Sequence, residues 1–329
     1  MSVKGTTGRI GMVPAHFKGN ISRDLARIRT RKDVDPKFVF QMLQSDLAKH
    51  RLTVAAVGTT RMELSIAILK QVRIPLPPTK AEQEAIAEAL SDADALIEAL
   101  EQLIAKKRQV KQGAMQELLH PQDDWILATV AELAGGAENI VDGPFGSNLK
   151  NSDYVASGIP VLQGLNITHD QFVWKEVRYI SRKKAKDLYR SNARVGDLLT
   201  VKIGSIGFSA IIDDLDGNNF AIIPANLLRT RIQNPNTDAL FVYYLLTSNA
   251  AKKKLRDLAG NTAQPAIGLT GFRNLSFAVP TSRKEQTAIV EILSDMDAEI
   301  AALEAKLAKA RQVKQGMMSE LLAGRVRLV

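Results

Sequence analysis

The chain has 329 residues, of which 45% are hydrophobic and 24% charged, a balance typical of a globular protein with room for more than one domain. It contains no cysteine, which excludes disulfides, thiolate zinc sites and cysteine nucleophiles. No apolar run approaches the roughly 20 residues that span a bilayer, and the N-terminal sequence lacks the apolar centre of a signal peptide, so we expect a cytoplasmic protein without membrane contact.

Positive charge is concentrated near the start of the chain. The net charge is +9, and residues 1–78 carry 14 Lys and Arg against 5 Asp and Glu, whereas residues 79–124 carry 5 against 10. Basic surface of this kind favours contact with a polyanion such as nucleic acid. The alternative is a basic surface that only maintains solubility, and charge by itself does not decide between the two.

The first predicted elements precede residue 79. A glycine-rich loop, KGTTG, occupies residues 4–8. The sequence KFVFQMLQSDLAKHRL at residues 37–52 has the apolar spacing of an amphipathic helix, and VRIPLP at residues 72–77 is typical of a short strand. These elements predict a small mixed segment ahead of a long helix.

A long helix is predicted over residues 80–119. Thr79 and Glu82 have the spacing of a capping box, in which a hydroxyl and a carboxylate satisfy free N–H groups at the helix start. Apolar residues then recur at alternating steps of four and three, the seam of a coiled coil: Ile86, Leu90, Ala93, Ile97, Leu100 and Ile104.

The segment after this helix predicts a complete mixed domain. Short strands are expected at residues 158–162, 172–174, 195–201, 208–212 and 219–223, with a basic helix at 181–189. A second glycine-rich loop, helix and strand follow: KIGSIG at 202–207, LFVYYLLTSNAAKKKL at 240–255 and LSFAVP at 275–280.

The second half of the chain repeats the first at a constant offset of 203 residues. RQVKQG at residues 108–113 returns letter for letter at 311–316, and Ser282 with Glu285 repeats the capping box. The second seam consists of Ile289, Leu293, Met296, Ile300, Leu303 and Leu307. Two seams of equal length predict an antiparallel coiled coil, the alternative being two amphipathic helices that each lie on their own domain.

The expected fold is α+β, with mixed α/β domains joined by two long helices that form an antiparallel coiled coil. The predicted division has four parts: a partial first domain at 1–78, the first long helix and linker at 79–124, a second domain at 125–281, and the second long helix with its tail at 282–329. The first domain is expected to be partial because only residues 1–3 stand where the second module has residues 125–201.

No catalytic motif is present. The sequence has neither the GxxxxGK[ST] phosphate-binding loop nor a GxGxxG dinucleotide fingerprint after a strand. The four histidines, His16, His50, His120 and His169, lack the spacing of metal ligands. We therefore expect no catalytic residue, no metal site and no cofactor, and a protein that is not an enzyme.

A resemblance to a known family is carried by the strand-to-helix junctions IPLPPTKAEQEAIAEALSDADALI and FAVPTSRKEQTAIVEILSDMDAEI, by the RQVKQG runs with the following MQELL and MSELL, and by DGPFGSNLKNSDYVASGIPVLQGLNI. On these motifs the chain resembles the specificity subunit of type I restriction-modification systems. The resemblance implies target recognition domains that each read one half of a split DNA site, separated by two long antiparallel helices.

The resemblance also implies partners. These are double-stranded DNA, modification subunits that methylate adenine N6 with S-adenosylmethionine, and restriction subunits that use ATP. The chain departs from the family before KGTTG, so a second specificity chain or an upstream fragment is a candidate to complete the first domain. The alternative function is a coiled-coil adaptor or remnant that retains partner binding but has lost DNA recognition.

Candidate DNA contacts follow from side-chain chemistry. Loops rich in glycine, lysine and small hydroxyl residues let backbone N–H and ammonium groups approach phosphates, and amide side chains can bind adenine edges. These rules select Lys4, Thr6, Thr7, Asn148, Lys150, Gln163, Asn166, Lys202 and Ser205. The alternative for each is a turn or capping residue.

Overall fold

The computed structural model describes residues 1–4, 7–14, 16–56, 64–144, 146–260 and 264–328. The helices found there are α1 Pro36–Gln44, α2 Asp46–Ala55, α3 Ile66–Leu69, α4 Lys80–Leu118, α5 Val130–Ala134, α6 Arg182–Asp187, α7 Ala239–Thr247, α8 Asn249–Ala259, α9 Leu269–Asn274 and α10 Arg283–Leu321. The strands are β1 Ile126–Thr129, β2 Ile140–Asp142, β3 Tyr154–Val155, β4 Ile159–Val161, β5 Ile167–Thr168, β6 Gln171–Phe172, β7 Arg178–Ile180, β8 Asn192–Ala193, β9 Leu198–Val201, β10 Ser209–Ile211, β11 Ala221–Ile222, β12 Leu227–Thr230 and β13 Ser276–Val279. This content confirms the α+β class.

The chain divides into two compact units that share the long helices. One unit comprises Met1–Lys107 and Glu299–Val329, and the other comprises Arg108–Ala298. Each long helix therefore contributes one part to each unit. The four predicted segments follow the ends of the helices instead, and that division stays a prediction.

The first unit is built on α1, α2 and the start of α4. Asp35 caps α1 by accepting a hydrogen bond from the Phe38 N–H at 2.7 Å, with Pro36 in the first helical turn where its missing N–H costs nothing. Its apolar core contains residues of α1, of α4 and of the end of α10: Phe38, Met42, Ile86, Ala87, Leu90, Leu321 and Leu322. This core joins the beginning of one long helix to the end of the other, as an antiparallel pair requires.

A serine divides each helix that was predicted to be continuous. Ser45 accepts from the Ala48 N–H at 3.2 Å and donates to the Met42 carbonyl at 2.6 Å, so it ends α1 and caps α2. Ser248 makes the same two bonds between α7 and α8. The predictions of single helices at 37–52 and 240–255 were wrong at this point, because a serine hydroxyl that satisfies both helix ends stabilises the break.

The second unit contains every sheet found in the described residues. A four-stranded antiparallel sheet has the order β10-β9-β12-β2, and a five-stranded sheet has the order β3-β7-β4-β11-β8, with β11 and β4 parallel. Two antiparallel pairs, β1 with β13 and β5 with β6, complete the set. Helices α7, α8 and α9 cover the four-stranded sheet through a core that includes Phe241, Leu246, Leu255 and Phe272.

The long helices pair antiparallel within each unit. In the first unit, Lys314 bonds Asp94 at 2.5 Å and Arg311 bonds Glu101 at 2.6 Å. In the second, Lys111 bonds Asp297 at 2.5 Å. Seven of the twelve predicted seam residues are at most 8% exposed: Ile86, Leu90, Leu100, Ile104, Ile289, Leu293 and Ile300. The other five, Ala93, Ile97, Met296, Leu303 and Leu307, are half-buried.

The glutamates of the predicted capping boxes bind other groups. The Glu82 N–H does donate to the Thr79 hydroxyl at 3.3 Å, but the Glu82 carboxylate accepts from Arg327. The Glu285 carboxylate accepts from the Trp125 indole at 2.9 Å. Residues that follow each long helix in sequence thus reach the start of the other, a contact that helix-start patterns do not contain.

The predicted strands have mixed outcomes. The strands at 158–162, 195–201, 208–212, 219–223 and 275–280 are confirmed by β4, β9, β10, β11 and β13. The strand at 172–174 lies mostly outside β6, and residues 72–77, which were predicted as a strand, belong to no helix or strand. β13 is a strand because β1 pairs with it along four residues.

Candidate nucleic-acid interface

Three loops meet at one end of the four-stranded sheet. β2 and β9 both end where β12 begins, because Asp142 pairs with Leu228 and Val201 pairs with Leu227. The Lys202 N–H donates to the Asn226 carbonyl at 2.9 Å, which joins the loop after β9 to the loop before β12. A Cβ at position 143 would lie 2.1 Å from the Pro224 carbonyl carbon, so only glycine permits this approach.

The Lys202 side chain belongs to the interior of this loop cluster. Lys202 is 4% exposed, and its ammonium donates to the Asp142 carboxylate at 3.1 Å. Asp142 is itself buried, and its second oxygen lies 3.7 Å from the guanidinium of Arg190. A buried carboxylate needs a cation partner, so this geometry favours a structural role for Lys202 over the predicted contact with DNA.

Asn166 is also committed to the fold. It is fully buried, its amide NH₂ donates to the carbonyls of Val173 and Lys175 at 2.9 and 2.7 Å, and its oxygen accepts from the Gln163 N–H at 2.8 Å. The geometry therefore favours the alternative predicted for it, that of a turn residue. Gln163 is only half-buried, and its side chain makes a long 3.5 Å bond to the Glu176 carbonyl.

Three of the predicted contacts lie on the surface of the second unit. Ser205 is exposed in the loop after β9, and Asn148 and Lys150 are exposed around a 3-10 turn at Gly146–Asn148. The backbone at Lys150 is fixed by its N–H, which donates to Asp153 at 2.7 Å, while Lys184 binds the same carboxylate at 3.2 Å. These loops therefore expose amide, ammonium and hydroxyl groups to solvent, and hydrogen bonding to Asp153 fixes the backbone at Lys150.

Described residues that flank the corresponding loop of the first unit make a matching backbone hydrogen bond. The Gly8 N–H donates to the Ser2 carbonyl at 2.9 Å, as the Gly207 N–H donates to the Val201 carbonyl at 3.1 Å. Both glycines have positive φ, of 86° and 87°. Lys4 is exposed and Thr7 half-buried in this loop, and Thr6 lies outside the described residues.

A group of arginines in the second unit was not among the predicted DNA contacts. Arg190, Arg229, Arg231 and Arg273 line one cavity of about 610 Å³, together with Glu138, Asn139, Val141 and Asn192. A signal was available in the sequence LLRTR at 227–231, since alternate residues of a strand share one face. Arg190 and Arg273 are distant in sequence, and only the fold brings them there.

Neither a metal-binding cluster nor a membrane-spanning helix is found in the part of the chain that the structure describes. No group of three or more His, Asp or Glu side chains is placed to hold a metal ion there. Within the same residues, no helix combines the length and the apolar character needed to cross a bilayer.

The sequence model of one family, described as type I restriction modification DNA specificity domain, matches residues 1–109 and 150–312 of the chain. The chain belongs to this family. The two matched ranges correspond to the two repeated modules, so each module has the family's pattern. Membership agrees with the prediction of a DNA-recognition subunit that is not itself a catalyst.

Individual members of the specificity family extend the likeness over most of the chain. The type I restriction enzyme MjaVIII specificity subunit of Methanocaldococcus jannaschii is 26% identical over 94% of this chain and 75% of its own length. The S subunit of a type I restriction-modification system from M. genitalium superposes with a TM-score of 0.59 at 18% identity, over 88% of this chain and 73% of that one.

A solved structure described under the words "structural basis underlying complex assembly and conformational transition of the type I R-M system" is also similar to the chain. It superposes with a TM-score of 0.53 at 18% identity, over 89% of this chain and 72% of that one. At these identities the two superpositions support the specificity-subunit fold. The chain spans about three quarters of the length of each of the three relatives.

Proposed function

We propose that this chain reads part of a split DNA site with its second module, as the specificity subunit of a type I restriction-modification complex in the cytoplasm. The observation that carries the proposal is the group of exposed polar side chains on held loops, Asn148, Lys150 and Ser205, with Gln163 half-buried. Amides and hydroxyls of this kind read base edges, and ammonium groups bind phosphates. The proposed contact set omits Lys202 and Asn166, whose polar groups bind the protein itself.

The first module is proposed to add affinity without sequence information. Its first 78 residues carry 14 Lys and Arg against 5 Asp and Glu, and Lys4 and Arg9 are exposed. Contacts from such cations to phosphates position a protein on DNA and strengthen binding to every sequence alike.

The long helices are proposed to hold the partner subunits. They would bind the modification subunits that methylate adenine and, through them, the restriction subunits, so that the recognition loops remain available to DNA. Support comes from family membership and from the continuous α4 and α10, each 39 residues long. No cofactor is assigned to this chain, because the chemistry would belong to its partners.

The test is a selection from randomised duplexes by the chain assembled with its modification subunit. Enrichment of one short conserved half-site is expected. Two half-sites of equal information from this chain would overturn the division of labour between the modules. No enrichment, with partner binding intact, would favour the alternative of an adaptor that has lost DNA recognition.

Single variants assign the reading to particular loops. Asn148→Ala and Gln163→Ala should each relax preference at one position of the half-site, by about 1–3 kcal/mol for each bidentate bond to a base that the change removes. Lys106→Ala, an exposed change on α4, is the matched control and should leave the selected site unchanged. Identical selected sites for Asn148→Ala, Gln163→Ala and the parent chain would exclude these loops from reading.

We further propose that another polypeptide, a second specificity chain or an upstream fragment, covers the first unit. Apolar side chains are exposed there over a short stretch: Met12, Val13, Phe17, Ile21, Leu25 and Ile28 are each at least 42% exposed. Exposed apolar patches often mark interaction sites. Light scattering of the purified chain should give a dimer that Phe17→Ser with Ile21→Ser converts to a monomer, or a complex with a co-expressed fragment. A parent chain that is monomeric and binds no co-expressed fragment would contradict the proposal of a covering polypeptide.

A further inference from the structure

The arginine-lined cavity of the second unit lies along β2 and β12. It has a volume of about 610 Å³, and its lining contains four guanidinium groups against one carboxylate, that of Glu138. Arg229 comes from β12, Arg231 directly follows it, Arg190 lies in the 3-10 turn at Tyr189–Ser191, and Arg273 lies in α9. Three separate chain segments thus bring four cations to one concave surface.

Two of these arginines are held in place by the protein. Asp197 accepts two hydrogen bonds from Arg231, at 2.7 and 2.6 Å, and the Asn192 oxygen lies 3.2 Å from the same guanidinium. The Arg273 Nη2 donates to the Ile140 carbonyl at 2.5 Å. A guanidinium fixed in this way can donate its remaining N–H groups to a ligand without further loss of side-chain entropy.

Arg229 has no such arrangement. It is only 4% exposed, and its buried Nε has no hydrogen-bond partner among the described residues. The Nε of Arg273 is likewise buried without a partner in that part of the chain. Burial and the neighbouring charges of Arg231, Arg190 and Arg194 lower the pKa of Arg229 to about 10. Arg229 is thus a buried cation whose Nε has no acceptor within the described part of the chain.

We propose that this cavity is a phosphate-binding site and that it seats a phosphate of the DNA backbone. A phosphate offers several acceptor oxygens to guanidinium forks, and charge-assisted bonds of this kind are among the strongest hydrogen bonds in proteins. The four lining arginines, Arg190, Arg229, Arg231 and Arg273, would supply the donors. The DNA part rests on the proposed function, whereas the phosphate chemistry rests on the cavity alone.

The first module carries the same pair of arginines. Leu25–Arg29 reads LARIR where Leu227–Arg231 reads LLRTR, and Arg27 and Arg29 occupy the positions of Arg229 and Arg231. The backbone correspondence is visible in two matched bonds: the Val3 N–H donates to Asp24, as the Lys202 N–H donates to Asn226. The paired arginines are therefore an element of both modules, and in the second one the fold encloses them.

The test compares the full chain with three variants, using inorganic phosphate as the first probe. Arg229→Met keeps an unbranched side chain at the buried position without its charge, and Arg190→Ala changes the exposed arginine of the lining. Arg182→Ala, an exposed arginine on α6 outside the lining, is the matched control. Calorimetric titration at constant ionic strength should show saturable phosphate binding that both lining variants weaken about tenfold or more, while the control is unchanged.

The second probe is duplex DNA, bound by the complex with its modification subunit. The lining variants should weaken binding to cognate and to unrelated duplexes by the same factor. They should also reduce the slope of log affinity against log salt by about 1 for each phosphate that is no longer neutralised. Thermal melting of each variant checks that the fold is kept, and Arg190→Ala decides the result if Arg229→Met does not fold.

The phosphate-binding site and its assignment to the DNA backbone can fail independently. Loss of phosphate binding with unchanged DNA binding would make the ligand a free phosphate and overturn the DNA assignment. Phosphate binding that is not saturable, or that the lining variants do not change, would overturn the site. If the parent complex binds no DNA, the proposed function fails and the seating of a backbone phosphate fails with it, while the phosphate titration still decides the cavity.

Discussion

At the scale of single residues, the structure separates polar side chains that face solvent from those that hold the loops. Lys202 and Ser205 are three residues apart in the same glycine-rich loop, yet the first is buried against Asp142 and the second is exposed. Both residue types suit phosphate contact, so the sequence alone could not separate them. The difference arises because β2 places a carboxylate beside the loop.

Lys202→Ala is expected to destabilise the protein by roughly 3 kcal/mol. The change leaves the buried Asp142 carboxylate with Arg190 at 3.7 Å as its nearest remaining cation partner, and removal of one partner from a buried pair is costly. The urea midpoint of unfolding measures the effect, and Ser205→Ala should stay within about 0.5 kcal/mol of the parent. An unchanged midpoint for Lys202→Ala, with altered DNA preference, would restore Lys202 as a contact.

The buried glutamines Gln83 and Gln286 should contribute equally to the free energy of unfolding. Gln83 accepts from the Asp35 N–H and donates to the Pro77 carbonyl at 2.9 and 3.1 Å, and Gln286 does the same with Asp238 and Pro280 at the same distances.

Replacement of Gln83 or Gln286 by Leu should cost about 1–3 kcal/mol, because backbone groups that the amide satisfied are left unpaired. Denaturant unfolding measures both variants, with Gln109→Leu on the exposed side of α4 as the control. If one replacement lowers the free energy of unfolding strongly and the other does not, the two modules share the geometry of this contact but not its contribution to stability.

At the scale of elements, the long helices are stabilised by a repeated set of contacts as well as by an apolar seam. Asp297 accepts from Lys111 and from the Tyr244 hydroxyl, and its counterpart Asp94 accepts from Lys314 and from Gln41. Burial, with the charge of Asp297, raises the pKa of the Tyr244 phenol, which therefore stays a neutral donor. Each module thus ties its own α1- or α7-type helix to a long helix by one carboxylate.

Leu100→Asp is expected to destabilise the protein by several kcal/mol, because an unpaired carboxylate would enter the apolar seam. Leu100 is 5% exposed, whereas Leu96 on the same helix is 47% exposed. Leu96→Asp is therefore the matched control and should change stability little. The measurement is thermal melting together with assembly with the modification subunit. Equal effects of the two changes would contradict the seam.

At the scale of the whole molecule, the excess of positive charge and the sheets lie in different modules. The excess of cations lies in the first 78 residues, whereas the second module holds the sheets found among the described residues and the exposed amide loops. Affinity for DNA from phosphate contacts and preference from base contacts depend on salt in different ways, so the two contributions can be separated by experiment.

The double variant Lys4→Ala with Arg9→Ala should weaken binding to all duplexes alike. The slope of log affinity against log salt should flatten by about 1 for each phosphate that the variant no longer binds, without a change in the preferred half-site. Lys106→Ala on α4 serves again as the control, a loss of positive charge away from the loops. A shift in sequence preference by the double variant would assign base reading to the first module.

The purified chain alone is expected to show no methyltransferase, nuclease or ATPase activity, because its sequence contains no motif for these reactions. Activity is measured with and without the partner subunits. Turnover by the isolated chain that a mutation within it abolishes would contradict the assignment.

The sequence by itself determined the repeat, the two long helices, the seam, the α+β class and the family. The first four depend on local periodicity and on letter-for-letter recurrence, which need no knowledge of distant contacts, whereas the family rests on the resemblance of the junction motifs. It also placed most strands of the second module, because short apolar runs between turns are local signals too.

Only the tertiary structure decided which polar groups face outward. Lys202 is enclosed by residues far away in sequence, Glu82 and Glu285 bind residues beyond the opposite helix, and four arginines from three segments meet in one cavity. Burial is a property of the neighbours that the fold supplies, and the side chain's own chemistry does not contain it.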